Sequence, residues 1–345
     1  MARRQLCQLL DSAGALEAIL KARAGSRWPW LTVLTYHRIH PDPAAQPFDA
    51  GVIDATPAEF DQQVATLRRY FTIVGLEDLR RHLKGGPLPP NPAVLTFDDG
   101  YRDCYDRVLP ILLRHGVIGT FFVATSYVGE RKVFWWDRIS YVVNQSPRDR
   151  IELAYPIHIE LELRGQRQRA TAELLRLVKR WHGLDIERFL DELTESAGVP
   201  WGAELERRHA DELVMSWDQV RALRRAGMEI HSHTRTHRVL QTVPHAELVS
   251  ELAGSKQDLE DQLGERVSSV SYPVGHPIAR DPAIRAMVAA AGYDLGFSNM
   301  NGVTWTWRRF DPLDMQRLRM GTDVPAAYFR GFLAVPWLAQ AQARS

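Results

Sequence analysis

Cysteine is scarce in this chain: of 345 residues only Cys7 and Cys104 are cysteines, with neither a CxxC pair nor a zinc-ribbon spacing. That excludes a disulfide-built scaffold and a cysteine zinc site, and it fits a reducing compartment. Cys104 has no base partner nearby in sequence and reads as a small buried hydrophobe. No apolar stretch approaches the length of a membrane-spanning helix. Excess charge is also lacking. Lys and Arg number 43 against 42 Asp and Glu, a formal +1, which argues against a nucleic-acid partner held by bulk charge. Repeats and low-complexity segments are absent. The N-terminus has no apolar core and cleavage site of a secretory signal, so a cytoplasmic location is expected, with the inner membrane face as its variant. What is present is ordinary for a globular chain: 45% hydrophobic and 25% charged residues.

Residues 1–30 read as an amphipathic helix and linker. Leu6, Leu9, Leu10, Ala13, Leu16 and Leu20 keep a helical period, and Arg3, Arg4, Lys21, Arg23 and Arg27 add positive charge before Trp28 and Trp30. Two readings stand: a helix docked on the domain, or a peripheral contact with anionic lipid. From residue 31 to about 330 the pattern is strand then helix, repeated. Strands are expected at Leu31 to Tyr36, Phe71 to Val74, Ala93 to Phe97, Ile118 to Ala124, Met228 to Ser232, Ser268 to Tyr272, Asp294 to Ser298 and around Leu318. Thr56-Pro57-Ala58-Glu59 and Ser216-Trp217-Asp218-Gln219 are capping boxes. Helices are expected at Asp103 to Arg114 and His245 to Leu263, and a mainly helical insertion at about 128–215. Residues 331–345 form a C-terminal tail. About seven βα units imply a parallel sheet closed, or nearly closed, into a barrel, with the chemistry at the C-terminal strand ends.

Two motifs lie at such ends, on the third and fifth expected strands. Thr96-Phe97-Asp98-Asp99-Gly100-Tyr101 sets two adjacent carboxylates after the apolar run Ala93-Val94-Leu95. Neighbouring side chains at a strand end diverge, so one acid can bind a metal while the other faces substrate. Asp-Gly is also ordinary turn chemistry. His231-Ser232-His233-Thr234-Arg235-Thr236-His237 places three imidazoles in seven residues. Two imidazoles and a carboxylate form a common catalytic zinc set with one position open for water. Zinc is the default, and cobalt, nickel, iron or manganese also suit these donors. His231 points to the same side as His233 and reads as a pocket wall or a buried structural histidine, with a third ligand as the remaining reading.

The acid motif and Ser232-His233-Thr234-Arg235-Thr236-His237 resemble the first two signature motifs of the polysaccharide deacetylases, the NodB-homology group. The resemblance extends over roughly residues 31–320 and includes Leu34-Thr35-Tyr36-His37-Arg38, Gly119-Thr120-Phe121-Phe122-Val123 and Ser271-Tyr272-Pro273-Val274-Gly275. It implies a distorted, TIM-like (β/α) barrel and metal-dependent removal of an N-acetyl group from an amino sugar. By position it implies Asp98 as general base, Asp99, His233 and His237 as metal ligands, and the backbone N–H of Tyr101 as oxyanion donor. Two departures stand out. Ser271 occupies the place of an arginine that usually contacts the base, and Arg317 or Arg319 could stand in, although surface arginines are common. No histidine follows His276, where the catalytic acid usually lies. The Tyr-Pro-x-Gly form resembles the poly-N-acetylglucosamine exopolysaccharide branch. That likeness implies His37 as the acid, with a structural histidine as the alternative, and Tyr272 and Pro273 on the substrate side.

Phe134-Trp135-Trp136-Asp137-Arg138 opens the insertion. Trp135 and Trp136 can stack on sugar or belong to the core, and Asp137 with Arg138 reads as a structural pair. The expected substrate is an N-acetylated glycan or a lipid-linked amino sugar. Two rivals remain: a same-fold hydrolase of a formamide or cyclic imide, and a silent carbohydrate-binding relative, against which the intact Asp98, Asp99, His233 and His237 speak.

Overall fold

The computed structural model describes residues 2–26, 28, 30–42, 46–306 and 310–336. Seven parallel strands close a barrel: β1 (Trp30–Tyr36), β2 (Pro92–Phe97), β3 (Thr120–Val123), β4 (Glu229–Ser232), β5 (Ser269–Ser271), β6 (Leu295–Asn301) and β7 (Met315–Arg319). They follow one another around the ring in chain order, and β7 closes on β1 at Leu34↔Leu318. The strand expected at Phe71 to Val74 shrinks to Thr72–Ile73, which pairs only with the start of β2 outside the ring. The two motifs therefore follow the second and fourth barrel strands.

Alternation along the strands decides what fills the barrel. Leu31 and Val33 on β1, Val94 on β2, Phe122 on β3, Leu295 and Phe297 on β6 and Met315 on β7 form one apolar cluster at its base. Two residues further along β1, β2 and β7 the inward positions turn polar. Thr35 meets Thr96 through their hydroxyls at 2.7 Å, and the buried Arg317 reaches Thr96 at 3.3 Å. The dry base fixes the strands, and the polar layer above it forms the floor of the site.

Local signals hold where they are strongest. Both capping boxes form: the Thr56 side chain accepts from the Glu59 amide and the Ser216 side chain from the Gln219 amide. The expected helix at Asp103 to Arg114 opens with a π-turn, Cys104–Val108, before Leu109–His115, and Gly116 ends it at φ 61°. The insertion carries helices Trp135–Gln145, Arg167–Arg180, Ile186–Ala197 and Ala203–Leu213. It also carries an antiparallel hairpin, Arg150–Leu153 with Ile159–Glu162, that a helical reading misses.

The N-terminal segment is two helices, Ala2–Ser12 and Ala15–Ala24, because Gly14 takes a left-handed turn at φ 72°. Cys7, Leu16 and Leu20 are buried, while Leu6 and Leu9 are exposed. Both helices pack on helix Ala326–Ala334, where Arg330 Nε donates to Asp11 at 2.6 Å. That helix crosses the boundary expected at residue 330. Arg27 and residues 337–345 of the tail lie outside the described residues. Among the described residues no helix is long and apolar enough to cross a membrane.

Candidate metal and active centre

Backbone geometry at the barrel mouth sets the acids apart. Asp98 stays in register, its N–H donating to Tyr36 O at 2.9 Å. Asp99 and Gly100 then turn left-handed, at φ 74° and 98°. Thr234 and His237 do the same beyond β4, at 62° and 53°. Positive φ is uncommon in non-glycine residues, and here it accompanies two of the three expected metal ligands.

Asp99 Oδ1 lies 3.4 Å from His233 Nε2 and 3.3 Å from His237 Nε2. All three donor atoms fall within 4.8 Å of one another, and all three residues are buried. Asp99 Oδ1 has no hydrogen-bond partner among the described residues. His233 Nδ1 is 2.7 Å from the Ser271 carbonyl, which can only accept, so Nδ1 carries a proton and Nε2 is turned toward Asp99. Burial pushes His237 down to about 3, so its ring is neutral at physiological pH. Donors around a tetrahedral zinc at roughly 2.0–2.1 Å stand about 3.3–3.4 Å apart, the spacing of Asp99 from each imidazole. An orphaned buried carboxylate oxygen facing two imidazole nitrogens at that distance fits a divalent cation.

Asp98 is held differently. Arg317 grips both carboxylate oxygens, at 2.8 and 2.7 Å, and Ser271 Oγ donates to Oδ2 at 3.1 Å. Burial opposes its charge, yet Arg317, with His233 and His37 behind it, holds the carboxyl well below the usual range. The stand-in for the missing arginine is thus Arg317, one of the two candidates. It is fully buried, and Ser271 supports both Asp98 and His233.

His37 follows β1 on the cavity wall. Its Nδ1 lies 3.1 Å from Asp54 Oδ2, and its backbone N–H donates to the same oxygen, leaving Nε2 without a partner among the described residues. Burial works against the imidazolium, but the Asp54 carboxylate outweighs it and lifts His37 to about 9. Sequence reasoning missed Asp54. Its only signal is an acid between two apolar residues in the short strand Ile53–Ala55.

The cavity above these groups measures about 450 Å³. Trp135 and Trp136 line it, and both are also core. Trp136 lies tilted against the His237 ring, centroids 4.4 Å apart, and donates to Tyr101 Oη at 2.6 Å, while Trp135 donates to His237 O at 3.3 Å. Tyr101 Oη in turn donates to Asp137 at 2.6 Å, and Asp137 also accepts from the Asp49 amide at 2.9 Å. Burial raises Asp137 to about 7. Arg138 does not pair with Asp137. It turns away to Asp191 at 2.8 Å and to the Trp201 ring.

Three residues expected near substrate lie elsewhere. Tyr272 is buried with its hydroxyl on Leu313 O at 2.6 Å, and neither it nor Pro273 lines the cavity, although Val274 next to them does. His231 lies one layer below His233, beside Phe122, with Nδ1 unpartnered among the described residues. Burial lowers it to about 3, and it is the buried histidine of the readings offered for it.

The sequence pattern of the polysaccharide deacetylase family matches residues 85–157 and 186–296, just over half of the chain. The chain belongs to the polysaccharide deacetylase family. Members of that family are hydrolases of carbon–nitrogen bonds, and the matched residues carry Asp98, Asp99, His233 and His237. The poly-beta-1,6-N-acetyl-D-glucosamine N-deacetylase of Escherichia coli K12 is 35% identical over 89 residues, which are 25% of this chain and 13% of that protein. The Streptococcus pyogenes deacetylase PplD, solved with acetate, matches 88% of this chain and 98% of its own at a TM-score of 0.58 and 18% identity. IcaB from Ammonifex degensii matches 91% and 99%, at 0.55 and 18%. At such identities the likeness is one of fold, and it shows the family's barrel in this chain.

Proposed function

We propose that the protein is a metal-dependent de-N-acetylase acting on an N-acetylated amino sugar in a polysaccharide or glycan precursor. The observation that carries this reading is the orphaned Asp99 Oδ1 facing two imidazole nitrogens, beside a second acid kept ionised by Arg317. The named activity of the Escherichia coli relative supports the choice of an acetamido sugar.

A divalent cation held by Asp99, His233 and His237 would supply Lewis acidity toward the acetamide carbonyl and the attacking water. Asp98 accepts the water's proton as the carbonyl carbon becomes tetrahedral. Arg317 and Ser271 fix its two oxygens, so the base needs no reorientation. The Tyr101 amide donates to the developing oxyanion. His37, protonated and held at Nδ1 by Asp54, gives a proton from Nε2 to the sugar nitrogen as the C–N bond breaks. Water and amide thereby become acetate and a free amine.

The test is acetate release from N-acetylglucosamine oligomers. A chelator should abolish it and added zinc restore it, and Asp98→Asn should keep the metal but lose turnover by at least about 10²-fold. Full activity after complete metal removal would contradict the proposal.

A further inference from the structure

Among the described residues, five charged groups line the catalytic cavity besides its histidines: Asp49, Asp98, Asp99, Lys179 and Arg319. Asp98 is neutralised from below by Arg317, and Asp99 faces His233 and His237. Among the described residues that leaves Asp49 and two cations, Lys179 and Arg319, around the mouth, with the Asp99 charge facing imidazoles. Lys179 sits in the last turn of helix Arg167–Arg180 of the insertion. Arg319 ends β7, two residues above Arg317, on the face of the strand that looks into the mouth. Neither cation has a carboxylate within 4 Å among the described residues, and the Arg319 guanidinium donates to Gly51 O at 3.4 Å. Asp49 is engaged by the Gly51 amide at 2.8 Å. The next residue, Arg180, is likewise without a carboxylate partner among the described residues and stands with Lys179 near His276.

The two cations also act on each other. Burial lowers Lys179 from its ordinary value; Asp49 opposes this, the Arg319 charge lowers it further, and Asp99 opposes it in turn. Half-buried Lys179 and exposed Arg319 present cationic donors on one side of a partly enclosed cavity, where an anion can reach both. A guanidinium fork and a flexible ammonium are the side chains that hold phosphate and carboxylate oxygens.

We propose that Lys179 and Arg319 bind an anionic group, phosphate or carboxylate, carried on or next to the N-acetylated sugar. The inference rests on the deacetylase reading and narrows its substrate to an acidic glycan or a phosphate-linked amino sugar.

Three probes test it: neutral N-acetylglucosamine trisaccharide, N-acetylglucosamine 1-phosphate, and an oligomer alternating glucuronate with N-acetylglucosamine. At least one anionic probe should exceed the neutral one in kcat/KM by about 10-fold or more, chiefly through KM, and the margin should shrink with salt. Which anionic probe wins identifies phosphate or carboxylate. In Lys179→Met/Arg319→Gln, and partly in each single variant, the anionic-to-neutral ratio should fall toward one. A neutral probe that equals both anionic ones, or a ratio unmoved in the variants, would overturn the inference while leaving the deacetylase reading intact. Calorimetry on Asp98→Asn gives a second readout without turnover. N-acetylglucosamine 1-phosphate or the glucuronate oligomer should bind about 10-fold tighter than its neutral counterpart, and adding the two cation substitutions should erase the difference. Equal binding would overturn the inference even if no probe released acetate, an outcome that would sink the deacetylase reading separately.

Discussion

Asp98 and Arg317 form a fully buried, two-pronged ion pair, and such a pair is worth most when one half is missing. Arg317→Met should therefore cost about 3–5 kcal/mol in urea denaturation, because Asp98 would keep its burial without its counter-charge. The same change should raise the Asp98 pKa and move the acid limb of the pH–rate profile to higher pH. An unchanged acid limb would mean that Arg317 only packs. His37 has the opposite sign. Its proton is what the reaction uses, and Asp54 lifts it to about 9, so turnover should fall as pH rises through that region. Asp54→Asn removes the attraction while keeping an acceptor for the His37 amide, so the alkaline limb should shift to lower pH. A limb that stays in place would return His37 to the structural residues.

At the level of elements, the start of helix Trp135–Gln145 does more than pack. Asp137 accepts from Tyr101 Oη and from the Asp49 amide, tying the loop after the acid motif to the rim segment at 49–52. Asp137→Ala should leave the buried Tyr101 hydroxyl unpaired, at about 1–3 kcal/mol, and free the part-buried Asp49 amide. Thermal melting should show the loss, and turnover should fall because Trp136, Tyr101 and the rim lose their common anchor. Long amphipathic and capped elements were legible in sequence, as Thr56, Ser216 and Gly116 illustrate. Elements set by partners were not. Thr72–Ile73 lost its place in the ring because β1 takes the other edge of β2, and hairpin 150–162 exists because Ile151, Leu153 and Leu161 find a helical floor.

Across the whole molecule, barrel closure is what makes a site of scattered residues. The adjacency of β7 to β1 puts Arg317 beneath Asp98, 219 residues away in the chain, and no local pattern distinguishes it from a surface arginine. Asp98, Asp99, His233 and His237 were legible because chemistry restricts which residue types can serve. Asp54, Lys179 and the direction in which Tyr272 points were not, since each depends on how neighbouring segments pack.

The central claim is a single cation held by Asp99, His233 and His237. Zinc titrated calorimetrically into chelator-stripped protein tests it most directly. The account predicts one tight site per chain, lost or greatly weakened in His237→Ala and in Asp99→Ala but retained in Asp98→Asn. A stripped protein that takes up no zinc, or a site that survives both ligand substitutions, would contradict it.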